Sequence, residues 1–125
     1  MSTKLHDIPN NALVGIGASP RAATATVTGS AIDCITGDGR CCAIQLVGTI
    51  GGSNTPTLAG KVQESADGQS GWADVATFTA VTASDNTQLT SFDRTKRYLR
   101  YVGTISGTSP TIPFTAVIIE QKKSV

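Results

Sequence analysis

One histidine, three cysteines and nine acidic side chains are the groups in this chain with the means to do chemistry. His6 stands alone near the N-terminus, in MSTKLHDIPNN, with no second histidine and no cysteine at a ligand's spacing. A tetrahedral metal site needs about four N or S ligands, and one imidazole cannot supply them. A Ser-His-acid triad would have to recruit this same histidine, and no GxSxG elbow is present. The carboxylates Asp33, Asp38, Glu64, Asp67, Asp74, Asp85, Asp93 and Glu120 are scattered, several in turns where Asp belongs for backbone reasons. TGDGR lacks the Lys and following helix of a phosphate loop, and the turn at Asp67 and Gln69 lacks the acidic repeat of a calcium loop. These residues imply no catalytic, cofactor-binding or metal-binding constellation, and no cofactor.

Cys34, Cys41 and Cys42 are odd in number, and two are adjacent, so they fit no disulfide framework. They read as small apolar side chains in a reducing compartment, with a Cys34–Cys41 staple across a hairpin as the alternative. The one charge cluster is DRTKRYLRY, where Arg94, Lys96, Arg97 and Arg100 interleave with Tyr98 and Tyr101. Basic residues beside aromatics can hold single-stranded nucleic acid. A solvent-facing strand whose charges deter edge pairing is the plainer reading, and an acidic protein surface is a third possible partner. The net charge of +1 gives no bulk attraction for nucleic acid or anionic membrane.

These residues must be carried by strands. Aromatics are 5% and charged residues 15% of the chain, with Thr, Ser, Gly and Ala filling the space, so the core is aliphatic and thin. ATATVTGSAIDCI reads as two short strands, broken near Gly29-Ser30. RCCAIQLVGTI alternates, with Cys42, Ile44 and Leu46 on one face and Cys41, Ala43, Gln45 and Val47 on the other. GGSNTPT reads as a loop, LAGKVQES and WADVATF as a hairpin closed by ADGQSG, and RYLRYVGTIS and IPFTAVIIEQ as strands separated by the turn SGTSPT. Thr79 to Asp93 is ambiguous between strand and helical turn. Seven to nine short strands at this spacing predict a single antiparallel β-sandwich, jelly-roll or Ig-like, over residues 22–125. Asp67-Gly68 supplies the turn, and Trp72 is expected to cap the open end of the core, buried; an exposed sugar-stacking platform is the other possibility.

Residues 1–21 read differently. Two prolines and the run GIGAS break regular pairing, so an extended arm is expected, ordered only against a partner through Leu5, Ile8, Leu13, Val14 and Ile16. The longest purely aliphatic run is Ala116 to Ile119, far too short for a membrane helix. The first residues lack the apolar core of a secretory signal, and a cytosolic product is expected.

TPTLAGKVQESADGQSGWADVATF, followed by TKRYLRYVGTISGT and a closing aliphatic strand, resembles the small head proteins of tailed bacteriophages. The resemblance covers about Thr55 to Gln121 and leaves the N-terminal third outside it. It implies a non-enzymatic virion protein, a capsid decoration or cement subunit, assembled in the host cytoplasm and seated on the capsid surface. Its partners would be the major capsid protein and further copies of itself, as dimer or trimer. The positions that carry it, Gly68, Trp72, Tyr98 and Arg100, are structural. A carbohydrate-binding module is the alternative, and burial of Trp72 is the feature that separates the two.

Overall fold

The computed structural model describes residues 8–123, and within them the chain is all-β apart from one helical turn, α1 (Ile8–Asn11). The strands are β1 (Ala12–Ala23), β2 (Val27–Thr28), β3 (Ile32–Asp33), β4 (Gly37–Val47), β5 (Gly51–Ser65), β6 (Ala73–Thr77), β7 (Asn86–Asp93) and β8 (Tyr98–Lys122). Every pairing between them is antiparallel. The central order is β6-β5-β8-β4-β7, with β1, β2 and β3 each paired to β8. The sheet curls until it nearly closes into a barrel. Across the remaining gap, the Gln88 side chain on β7 accepts from Thr79 N–H at 2.9 Å and donates to Thr79 C=O at 2.8 Å, mimicking a strand partner.

β8 holds the two halves together. Its first part pairs with β5, β2 and β3, and its last part with β1 and β4. The bend between them runs through SGTSPT, which the sequence suggests is a turn, opposite GGSNTPT, which it suggests is a loop. Both are strand: Gly51 registers with Thr111, Ser53 with Thr108 and Thr57 with Ser106, with shifts between them. Positive φ at Gly52, Asn54, Thr55, Gly107 and Ser109 marks these irregularities. The glycines and prolines therefore bend a two-stranded ribbon without ending it. Thr79 to Asp93 resolves as an isolated bridge at Val81 followed by β7.

The expected arm is corrected from Ala12 onward. Residues 12–23 form β1, which pairs along β8 from Ala12↔Gln121 to Ala23↔Ile112 and runs straight through the boundary placed at residue 21. The physical reason lies in its glycines. A Cβ on Gly15 would stand 2.8 Å from Ile32 Cδ1, and one on Gly17 would stand 2.9 Å from Tyr101 Cβ. Bare glycine faces let β1 close directly over the core, so GIGAS is a strand whose inward positions 15 and 17 are packed too tightly for side chains. Leu5 and His6 lie outside the described residues.

The core is aliphatic with a few rings: Leu58, Val62, Leu99, Tyr101 and Ile112 are fully buried, and Phe78 and Phe114 flank Tyr101 at ring-centroid distances of 6.3 and 5.8 Å. Tyr101 donates to Gln45 Oε1 at 2.5 Å, both residues wholly inside, and Gly60 leaves them the room.

Candidate functional site

The basic cluster dissolves into the fold. Arg94 forms an ion pair with Glu120, which is 3% exposed, and donates to the carbonyls of Cys34, Gly37 and Lys96. Glu120 also accepts from Gly39 N–H at 2.9 Å and from the Cys41 thiol at 3.5 Å. Arg97 grips Asp33 with two bonds of 2.8 and 2.7 Å, which hold that carboxyl below its ordinary range. Arg100 donates to Gln63 at 2.9 Å and lies over the Trp72 ring, 4.2 Å from its centroid. Glu64 takes the backbone N–H groups of Thr95 and Lys96 and the Thr95 hydroxyl. Three of the four cations thus have anionic or aromatic partners within the chain, and Lys96 sits on a loop clamped by Glu64.

The hairpin residues do come together. Gly68 takes φ +75°, and a Cβ there would meet the Tyr98 ring at 3.0 Å. Asp67 accepts from the N–H groups of Ser70 and Gln69, both at 2.9 Å, and from Ser70 Oγ. Those bonds, the Ser70 N–H foremost, hold its carboxyl well below the usual range. Trp72 is only half-buried and stands outside the core cluster. The expected core cap is corrected to a surface indole covered by Arg100, because β6 begins one residue later and leaves the ring over the flank of β8.

The three thiols are unpaired. Burial, aided by the charge of Glu120, pushes Cys34 up to about 11, and the same causes raise Cys41 further, so neither is a nucleophile near neutral pH. Among the described residues no three His, Cys, Asp or Glu side chains gather where they could hold a metal ion. No helix among them is long and apolar enough to cross a membrane.

A different surface emerges on the half formed by β1, β8, β4 and β7. In β4 the inward set is Cys41, Ala43, Gln45 and Val47, while Cys42, Ile44 and Leu46 point out. Their registered neighbours continue the pattern. One row runs Val14–Ile119–Cys42–Ser91, and the next runs Ile16–Val117–Ile44–Leu89. Beyond them Leu46 stands between Thr115 and Thr87. Val14, Ile16, Leu46 and Leu89 are 66, 62, 44 and 63% exposed. A half-solvated antiparallel sheet ordinarily turns polar residues outward. Here eight apolar side chains form one continuous face without a charge, bounded at one end by the Arg40–Asp93 pair, 3.0 Å apart, and at the other by threonines. Of the partner-binding residues expected from the arm, Val14 and Ile16 lie on this face; Leu13 turns to the other side of β1, and Ile8 lies in α1. The sequence signal for the face was the double alternation of β4, apolar on both sides.

No family model matches the chain, and no curated protein matches it. Among solved structures it is similar to the PBSX exported protein XepA, with a TM-score of 0.61 at 17% identity over 90% of this chain. The chain spans 38% of that protein's length. The likeness is one of fold.

Proposed function

We propose that this chain is a non-enzymatic structural protein of a tailed-phage particle, which attaches to the capsid shell as a decoration subunit by surface contact. The observation that carries the reading is the uncharged apolar face of β1, β8, β4 and β7. Exposed patches of this kind mark macromolecular interfaces, since a broad sheet surface offers a small molecule no enclosure. The fold likeness to the PBSX exported protein XepA, and the resemblance of residues 55–121 to phage head proteins, support a phage setting. The internal pairing of the basic cluster favours a protein partner over nucleic acid. Half-exposure of Trp72 leaves the carbohydrate reading some ground, but Arg100 already occupies a face of the ring where a sugar would stack.

The test is particle composition. Phage particles from the cell that encodes the chain, purified on a density gradient, should contain it at a fixed ratio to the major capsid protein, and immunogold should mark the head. Absence from intact particles, with the protein recovered free in the medium, refutes the reading.

A further inference from the structure

We infer that the outer face of β1, β8, β4 and β7 is a self-association surface that pairs two copies of this chain face to face about a two-fold axis in the plane of the contact. The inference names the partner of the face on which the proposed function rests. It takes from that reading only that the face is a macromolecular interface, and names a second copy of the chain as what covers it.

Three features of the face select a second copy as its occupant. The first is charge. The central rows, Val14–Ile119–Cys42–Ser91 and Ile16–Val117–Ile44–Leu89, carry no charge and, apart from a thiol and the Ser91 hydroxyl at the edge, no donor or acceptor side chain, so the face makes no demand for a complementary sign. An isologous contact must be complementary to itself, and an uncharged aliphatic surface meets that condition in either strand direction. The second is area. Four strands at about 4.8 Å spacing and the four residue rows from Arg40 to Leu46 at about 6.8 Å give a face of roughly 19 by 27 Å, or about 520 Å² per copy. Two such faces bury about 1,040 Å², which just clears the roughly 1,000 Å² expected of a specific contact and suits a weak, concentration-dependent dimer. The third is anatomy. The apolar centre has a polar rim of Arg40, Asp93, Gln121, Thr115 and Thr87, the layout of a protein interface, and twisted sheets stack naturally at about −30°.

Sedimentation velocity of the purified full chain over about 1 to 200 µM, with no particles present, tests the inference. The expected species approaches twice the 12.8 kDa chain mass as concentration rises. Leu89→Arg, whose side chain is 63% exposed, should remain folded and weaken association on the order of 100-fold or more, because the dimer would bury an unpaired charge. Ile16→Lys, on the opposite side of the face, should do the same if the first variant fails to fold. Cys42 gives an independent readout: its alkylation by a maleimide should slow with rising protein concentration in the parent and not in the variants. A parent that stays monomeric throughout, or variants that associate like the parent, overturns the inference. A monomer found on phage heads would sink the self-association and leave the proposed function standing; a dimer missing from particles would do the reverse.

Discussion

Arg94→Ala separates a structural arginine from a binding one. The substitution removes the ion pair with Glu120 and the donations to the carbonyls of Cys34, Gly37 and Lys96, which tie the start of β4 and the loop before β8 to the end of β8. Glu120 would keep Gly39 N–H and the Cys41 thiol but lose its counter-charge while 3% exposed. Removing one member of a buried pair costs about 3 to 5 kcal/mol, because the other stays desolvated and uncompensated. For a chain of this size each kcal/mol lowers the midpoint by roughly 3 to 5 °C, so a fall of about 10 to 20 °C is expected. Thermal and urea unfolding followed by far-UV circular dichroism measure it. Lys96→Ala, two residues away, should stay within about 0.5 kcal/mol of the parent, since its contact with Glu64 is made by the backbone. Arg94→Lys should recover only part of the loss, because an ammonium cannot span the same acceptors. An Arg94→Ala protein that melts with the parent, yet fails to attach to phage heads, would refute the buried-pair account and restore Arg94 as a contact residue.

Tyr101→Phe strands Gln45 Oε1 in a dry core beside an amide nitrogen that already has no partner, and should cost about 1 to 3 kcal/mol by urea denaturation. Adding Gln45→Leu should return much of that; a double variant weaker than the sum of the singles refutes it. Asp67 is ionised more readily in the fold than in the open chain, where its ordinary value is 3.8. Its contribution is therefore complete above about pH 4 and fades as pH falls below that, and an Asp67→Asn protein should show a shallower acid limb. Equal acid limbs would count against the turn as drawn. Arg100→Ala should shift Trp72 fluorescence to the red and cost only about 1 kcal/mol, as for a partly exposed cation–π contact. Unchanged emission would mean the guanidinium does not cover the indole.

Alternation made the regular strands legible. Residues 41–47, 58–65 and 98–105 repeat with period two and form β4, β5 and the start of β8 where that period puts them. β1 escaped because its inward positions include Gly15 and Gly17, so the pattern reads as flexibility when it is tight packing. The corner of β5 and β8 escaped because positive-φ residues are the same whether a strand ends or bends. The internal partners of the basic cluster were not legible because Asp33, Glu64 and Glu120 lie on β3, β5 and the far end of β8, and no local window holds them. Trp72 was placed one position too far toward the core. The apolar outer face was half visible in β4, but only the register with β1, β7 and β8 shows that four strands share it.

The position of β8 has a consequence for how the protein comes into being. Without residues 98–122 the pairings left among the strands are β4 with β7 and β5 with β6, and β1, β2 and β3 have none. A chain emerging from the ribosome therefore carries β1, β2 and β3 without a template, and β1 must wait for β8 to register Ala12 with Gln121. Closing loops of that length precedes any reward from contact, which places folding among slow β topologies, on the order of milliseconds to seconds. The sheet forms only once β8 has emerged. Until then the aliphatic segments of β4 and β5 stand open to pairing with other chains, and crowded synthesis is the stage at which this protein is most prone to aggregate.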